Sequence, residues 1–201
     1  MYRAVLDTCV LVPGLQRDFL LQLAVEGAYR PLWGSGVLVE LDYVLGRIDA
    51  KRGRDGSDER RQHLVRSMRS AFPGAEVHAP KGRRYDYDLD DPDDGHVAHA
   101  AIIGKADGIV TDDARAGFTG STVLTEAGID VVRPREFAAA TVLVRPDLGV
   151  RALVAVSQRL VAPRQRPVQI LEELRLRYGM VGVAETLGPH LRRGGLESTP
   201  S

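Results

Sequence analysis

The sequence lacks several features that would each have set the class of protein. Its 201 residues hold a single cysteine, Cys9, so no disulfide can form within the chain. No uncharged apolar run approaches the roughly 20 residues that a membrane span requires, and the amino-terminal residues lack the apolar stretch of a signal peptide. We therefore expect a soluble, cytoplasmic protein that makes no membrane contact.

The chain also lacks net charge, because 27 basic side chains balance 27 acidic ones. This excludes a bulk polycation that coats nucleic acid. The balance is uneven, since acidic side chains are in excess over residues 1–137 and basic ones over residues 138–201. Six aspartates fall within residues 86–94, and eight basic residues fall within residues 47–69.

Short apolar segments alternate with amphipathic segments through the first two thirds of the chain. The apolar segments predict strands at residues 4–6, 75–78, 108–111 and 130–132. The amphipathic segments predict helices at residues 16–26, from 35 onward, at 58–72 and at 93–105. This alternation is typical of an α/β fold with a parallel sheet.

Beyond residue 137 the pattern changes to helices separated by prolines. These helices are predicted at residues 136–143, 147–160, 167–178 and 181–191. The change predicts two parts, an α/β domain over residues 1–137 and a helical extension over residues 138–201.

Acidic side chains stand at the ends of segments that are expected to meet at one edge of the sheet. Asp7 follows the first strand, Asp112 and Asp113 follow a later one, and Asp93 and Asp94 begin the helix between them. Carboxylates that share a crevice raise one another's pKa values unless a cation neutralises them. Oxygen ligands favour Mg²⁺ or Mn²⁺, whose remaining positions suit phosphate oxygens, so a phosphodiester or phosphate ester substrate is predicted.

Four short segments of the sequence are informative because of their order and spacing. They are Val5-Leu6-Asp7-Thr8, then Glu40 on its helix, then Asp91-Pro92-Asp93-Asp94-Gly95-His96-Val97, then Ile109-Val110-Thr111-Asp112-Asp113 with Phe118 after it. Together they resemble the PIN-domain family, in particular the bacterial VapC-type toxin ribonucleases, over about residues 3–137. The resemblance implies a PIN-like three-layer α/β/α fold with a central parallel sheet, followed by a C-terminal helical extension.

The same resemblance implies a Mg²⁺- or Mn²⁺-dependent endoribonuclease that cleaves RNA phosphodiesters. The residues implied as both catalytic and metal-binding are Asp7, Glu40, Asp94 and Asp113. Asp91 and Asp112 are neighbouring candidates of lower rank. The implied partners are an RNA substrate, a cognate antitoxin protein and a second copy of the chain in a homodimer formed by helices near the amino end.

Three further features bear on the resemblance. Cys9 stands where the family often has asparagine or serine, which leaves open whether the hydrogen bond made from that position survives. A PIN subgroup carries an Arg-Pro element in its C-terminal extension, and Arg166-Pro167-Val168-Gln169-Ile170-Leu171 matches it loosely. The basic residues of 47–69, with Arg83 and Arg84, are candidates for holding the RNA backbone, although a helix face exposed to solvent explains the former equally well.

Two other functions stay open from the residues alone. A catalytically idle PIN fold could serve as an RNA-binding or protein-interaction module. Another Mg²⁺-dependent phosphate-ester hydrolase, such as a haloacid-dehalogenase-like phosphatase, would need an Asp-x-Asp pair after the first strand, and Cys9 at the third position counts against it. A dinucleotide-binding enzyme is excluded because no Gly-x-Gly-x-x-Gly follows that strand.

Overall fold

The chain forms two compact units. The computed structural model describes residues 1–54, 57–160 and 164–193. The sheet unit comprises Tyr2–Val12 and Arg30–Val132, and the helical unit comprises Met1, Pro13–Tyr29 and the residues from Arg133 onward. The predicted boundary at residue 137 divides the chain by sequence alone and stays a prediction, and the last eight residues of the predicted extension lie outside the described residues.

The sheet unit is built on five parallel strands, which are short and largely buried. They are β1 (Arg3–Leu6), β2 (Arg30–Gly34), β3 (Glu76–Val77), β4 (Gly108–Val110) and β5 (Asp130–Val132). Their order across the sheet is β3-β2-β1-β4-β5. Val5 of the central strand β1 lies beside Leu32 and Ile109, and all three side chains are buried. Strands covered on both faces read as apolar runs, which is why the parallel sheet was predictable.

Helices connect the strands and continue after them. In chain order they are α1 (Thr8–Leu11), α2 (Gly14–Val25), α3 (Ser35–Lys51), α4 (Ser57–Ala71), α5 (Gly95–Ile103), α6 (Thr122–Glu126), α7 (Pro134–Val144), α8 (Pro146–Arg159), α9 (Pro167–Tyr178) and α10 (Val181–Arg193). The predicted α/β class, with a central parallel sheet followed by C-terminal helices, is confirmed.

Strand β2 is absent from the sequence-based prediction, and its proline explains why. A proline inside a strand removes a backbone donor and argues against a central position. Trp33 N donates to Ala75 O at 3.0 Å on the β3 side, and Pro31 has the same orientation as Trp33. The pairing of β3 with β2 covers Trp33 and Gly34 and does not extend to Pro31, so the missing N–H of Pro31 falls outside that ladder.

Helix α5 packs closely against β2 because small residues line the contact. A Cβ atom added to Gly34 would lie 3.3 Å from the Ala100 Cβ, and one added to Gly104 would lie 3.1 Å from Leu32 Cδ1. Larger side chains at these positions would push the helix away from the sheet. The close contact holds the start of α5 near the end of the sheet where β1 and β4 finish.

The helical unit packs α2 among the helices that follow residue 133. The Tyr29 ring meets the Phe137 ring edge to face with centroids 4.8 Å apart, and Arg151 pairs with Glu26 at 3.2 Å. A Cβ atom at Gly149 would lie 2.8 Å from the Leu187 side chain, so α8 and α10 approach closely. The predicted C-terminal helices are confirmed, with ends that differ by a few residues.

The Arg-Pro element begins a helix. Pro167 occupies the first turn of α9, a position where its missing N–H leaves nothing unpaired. The Gln169 side chain accepts a hydrogen bond from Arg166 N at 2.8 Å, and Ile170 and Leu171 are buried. The element therefore serves as the start of α9 and fixes which face of that helix turns inward.

Across the residues with described structure, no helix combines the length and the apolar character that crossing a bilayer requires.

Candidate active site

Asp7 stands at the end of β1 and begins α1. Its backbone N donates to Val110 O at 3.1 Å, which extends the pairing of β1 with β4. Its carboxylate accepts hydrogen bonds from Thr8 N and from the Thr111 hydroxyl, each at 2.6 Å. Burial raises the pKa of Asp7, and these hydrogen bonds oppose the rise because they favour the charged form. Asp7 is thus a buried carboxylate held in one orientation by its neighbours.

Cys9 supplies a further hydrogen bond to the same carboxylate. Its Sγ lies 3.2 Å from Asp7 Oδ2 and 3.4 Å from Thr111 Oγ1. Burial and the Asp7 charge raise the pKa of Cys9 to about 12, so the thiol keeps its proton and can donate it. Cys9 therefore makes a weak hydrogen bond to the Asp7 carboxylate from this position.

Glu40 reaches the site from α3. Thr8 Oγ1 donates to Glu40 Oε2 at 2.8 Å, and the Lys81 ammonium donates to Oε1. The buried His96 ring places Nε2 at 3.8 Å from Oε2. Burial alone would raise the pKa of Glu40, but the Lys81 and Thr8 hydrogen bonds and the Lys81 charge outweigh it and lower that pKa. Glu40 is therefore ionised at neutral pH.

Asp94 ends the 3₁₀ turn Pro92–Asp94 and precedes α5, yet its side chain does not cap that helix. Burial raises the pKa of Asp94 to about 7, and the negative charges of Asp7, Asp91, Asp113 and Glu40 add to the rise. The carboxylate is thus held close to other carboxylates without the capping bond that an aspartate usually makes at a helix start. A neighbouring cation would remove this repulsion.

Thr111 connects Asp113 to Asp7 through hydrogen bonds. Its Oγ1 accepts from Asp113 N at 3.0 Å while it donates to Asp7, and Asp113 Oδ1 accepts from Arg115 N at 2.8 Å. The neighbouring Asp112 is exposed, and its backbone N donates to Cys9 Sγ at 3.3 Å. The carboxylate of Asp113, not that of Asp112, faces the cavity described next.

One open cavity of about 380 Å³ gathers all four predicted carboxylates. It is lined by Asp7, Thr8, Cys9, Val12, Glu40, Val44, Asp94 and Asp113. The lower-ranked Asp91 and Asp112 do not line it, and the Asp91 side chain instead accepts from Asp93 N at 2.9 Å. The structure therefore brings together the residues that the sequence singled out.

The donor set suits a hard divalent cation. Mg²⁺ and Mn²⁺ prefer carboxylate oxygens, and the raised pKa of Asp94 marks a place where negative charge is in excess. In the described part of the chain no three acidic, histidine or cysteine side chains already meet the spacing of a metal site. Thr111 and Cys9 engage the Asp7 carboxylate, and Lys81 and Thr8 engage the Glu40 carboxylate.

His96 and His99 do not form a metal-binding pair. His96 Nδ1 lies 2.9 Å from Asp93 O, and His99 Nδ1 lies 2.7 Å from the Tyr87 hydroxyl. The two rings thus have separate partners, one beside the acidic cavity and one among the tyrosines of the loop before α5.

Part of the basic stretch at residues 47–69 is neutralised within the sheet unit. Arg61 pairs with Asp42 at 2.9 Å and with Asp58 at 2.6 Å, and Arg69 pairs with Glu76 at 2.7 Å. Such exposed pairs contribute little to stability, but they reduce the positive charge that the stretch offers to a polyanion.

Sequence reasoning missed two residues that touch Glu40. Thr8 follows Asp7 directly, so its place at the strand end was readable. Lys81 lies in a loop between β3 and α5. No periodic pattern in the sequence indicates that a lysine in this loop contacts Glu40, which stands 41 positions earlier on α3.

Replacing Thr111 by valine tests the link between Asp7 and Asp113. The change keeps the shape but removes the hydroxyl, so a buried carboxylate and a backbone donor lose their partner. We expect unfolding in urea to show a loss of about 1–3 kcal/mol. If the cavity binds a divalent cation, we also expect the affinity for that cation to fall about 10–100-fold, as for groups that orient metal ligands. Thr125→Val is the control, because the Thr125 hydroxyl donates to Ser121 O in its own helical turn; equal losses in both variants would contradict the prediction.

A family model described as the PIN domain matches residues 3–115, which is more than half of the chain. The matched span contains Asp7, Glu40, Asp94 and Asp113. No curated protein and no solved structure matched the chain. The family match and the acidic cavity thus fall on the same span of sequence.

Proposed function

The chain belongs to the PIN-domain family, and from that premise we propose that it is a metal-dependent endoribonuclease that hydrolyses RNA phosphodiesters. Proteins of this family are generally nucleases. The finer proposal is that the reaction uses Mg²⁺ or Mn²⁺ and that Asp7, Glu40, Asp94 and Asp113 form the catalytic centre.

One observation carries the proposal. Asp94 shares a cavity with three other carboxylates, and burial with their charges raises its pKa to about 7. Strongly perturbed pKa values in a cleft are typical of functional sites. Carboxylates that repel one another destabilise the folded state, and substitutions that remove them would stabilise a protein that does not need them for its function. The donor set is made of oxygen atoms alone, which favours Mg²⁺ or Mn²⁺ over zinc.

We assign each residue of the cavity a role from its position. Asp7, Asp94 and Asp113 would hold the ion, since each places a carboxylate at the cavity wall. Thr111 fixes the orientation of Asp7, and Thr8 fixes that of Glu40. Glu40 is ionised, so it can accept a hydrogen bond from a water molecule and orient that water for in-line attack on phosphorus.

The chemistry that a bound Mg²⁺ or Mn²⁺ supplies is a lowered pKa for a coordinated water and an offset for negative charge on the phosphate oxygens. The chain's own contribution is to hold four carboxylates at the wall of one cavity, where burial and mutual repulsion disfavour the ionised form of Asp94. Arg83 and Arg84, which are exposed, would contact the RNA backbone, so binding should weaken as salt concentration rises.

The test of metal dependence has two parts. Purified protein is incubated with a pool of labelled RNAs in Mn²⁺ and, separately, in EDTA. We expect cleavage only with Mn²⁺. Thermal unfolding is then followed with and without Mn²⁺, because a ligand that binds the folded state at about 100 times its dissociation constant stabilises it by about 2.7 kcal/mol. Cleavage that continues unchanged after chelation would contradict the proposal.

The toxin role and the partners are part of the proposal. A cognate antitoxin would have to cover or distort the acidic cavity, and a homodimer would need an apolar surface. Val39 and Tyr43 of α3 expose 66% and 63% of their surface, in contrast to the buried Trp33, which supports a protein contact on this helix. Light scattering of the purified chain tests the homodimer, and growth arrest on expression that a neighbouring small gene relieves tests the toxin role.

A further inference from the structure

Lys81 is a cation that stands beside the acidic cavity, although its side chain does not line that cavity. Its ammonium pairs with Glu40 Oε1, and the negative charges of Asp93 and Asp94 also act on it. Arg115 pairs with Asp113 at 3.6 Å, but its side chain is 90% exposed, whereas that of Lys81 is 36% exposed. Lys81 is thus the more enclosed of the two and is the one beside Glu40.

The backbone around Lys81 is fixed to the start of α3. Gly36 N donates to Ala79 O at 2.9 Å, and Ala79 N donates to Ser35 Oγ at 3.1 Å. A Cβ atom at Gly36 would lie 2.7 Å from Lys81 N, so only glycine permits this approach. The same helix carries Glu40 one turn later, and the ion pair is therefore held at both of its ends by α3.

A lysine in this position suits a phosphate group. An ammonium carries three donors, and Glu40 Oε1 accepts from one of them. Lysine binds phosphate as a compact point charge, and charge that develops on phosphate oxygens during cleavage is stabilised best by a cation already in place. Four carboxylates line the cavity, so an incoming phosphodiester meets less repulsion on the side where Lys81 stands.

We propose that Lys81 is a catalytic residue of this site, which rests on the proposed nuclease function: its ammonium contacts a non-bridging oxygen of the scissile phosphodiester beside Glu40. Lys81 keeps its protons throughout. A water oxygen bonds to phosphorus while the bond from phosphorus to the ribose oxygen breaks, the attacking water gives up its proton to solvent, and the leaving oxygen takes one from solvent. The ammonium charge offsets the negative charge that gathers on the phosphate during this exchange.

The test compares Lys81→Gln, Lys81→Arg and the exposed control Lys105→Gln in Mn²⁺-dependent RNA cleavage. We expect Lys81→Gln to lower kcat about 100-fold, the loss typical of one donor to a developing oxyanion, with KM nearly unchanged. Lys81→Arg should recover most of that loss, because it keeps the charge. Lys105→Gln should stay within about twofold of the unmodified protein. Circular dichroism and thermal unfolding establish that each variant is folded.

A second measurement separates a role in the cavity from a structural role and needs no cleavage. Mn²⁺ affinity is measured by calorimetry for the unmodified protein and for Lys81→Gln. If the Lys81 charge stands at the cavity, its removal should tighten Mn²⁺ binding by at least about threefold, because a like charge is lost. If Lys81 only holds Glu40 and the loop in place, its removal should weaken that binding.

The outcomes are distinguishable. A Lys81→Gln variant that cleaves RNA at the normal rate, a change confined to KM, weaker Mn²⁺ binding, or failure of Lys81→Arg to restore activity would each overturn the role of Lys81 and leave the nuclease function standing. Absence of Mn²⁺-dependent cleavage by the unmodified protein would overturn the nuclease function itself, and the role of Lys81 with it.

Discussion

Replacing Asp94 by asparagine is expected to lower Mn²⁺-dependent RNA cleavage about a thousandfold. A bound metal ion contributes several kcal/mol to the stabilisation of transition-state charge, and about 4 kcal/mol corresponds to three orders of magnitude in rate. Asparagine keeps the size of the side chain but removes the charge that attracts the cation. The measurement is the single-turnover rate of cleavage at saturating Mn²⁺, with product analysed by gel.

The same substitution should make the metal-free protein more stable. Burial and repulsion from neighbouring carboxylates raise the pKa of Asp94 to about 7, so its ionised form is disfavoured in the folded state. The cost is therefore fully present above that pH and fades as the pH falls and the carboxyl takes up a proton. At pH 8 we expect a gain of about 1–2 kcal/mol in urea unfolding, after allowing for screening by solvent.

Asp86→Asn is the matched control, because Asp86 belongs to the same acidic run and is exposed. It should change neither the cleavage rate nor the stability by more than the experimental error. A loss of activity in Asp94→Asn that comes with a loss of stability would point to general damage and would argue against a metal-binding role.

Replacing Trp33 by alanine should cost about 3–5 kcal/mol of unfolding free energy, the range found when a large buried aromatic is truncated. Trp33 is fully buried in β2, and its ring meets the Phe72 ring edge to face at 5.9 Å. Because domains of this kind are stable by only about 5–15 kcal/mol, we expect partial unfolding at 37 °C. Urea unfolding followed by circular dichroism measures the loss.

Trp33→Phe should be far milder than the alanine variant. Among the described residues Trp33 Nε1 is buried without a hydrogen-bond partner, and an unpaired buried donor costs about 1–3 kcal/mol. Phenylalanine removes that donor along with part of the ring, so the two effects oppose each other. We expect a net loss below about 1.5 kcal/mol; a loss equal to that of alanine would show that the indole N–H has a partner after all.

The carboxylates were predictable because each stands at a place that the chain marks locally. Asp7 and Asp113 follow apolar runs, and parallel strands that neighbour each other end at the same edge of a sheet. Asp94 stands just before an alanine-rich helix. Sequence order therefore placed all three at one edge, although it left the choice between Asp112 and Asp113 to the resemblance.

Other features depend on contacts that no local pattern encodes. Lys81 lies in a loop whose path is set by hydrogen bonds to Ser35 and Gly36, far away in sequence. Strand β2 was hidden because Pro31 is acceptable only where β3 is too short to pair with it. The periodicity of α2 predicted the helix and its apolar face, but periodicity does not say which part of the chain covers that face.

Helix α2 gives the order of synthesis a structural consequence. Its buried residues Phe19, Leu20 and Leu23 belong to the unit whose remaining helices begin with α7 at Pro134. The ribosome therefore makes this helix among the first elements and must add more than a hundred residues before its partners emerge. A gene fragment that stopped at residue 137 would leave this helix without most of them, so we expect the apolar face of α2 to be exposed in such a fragment.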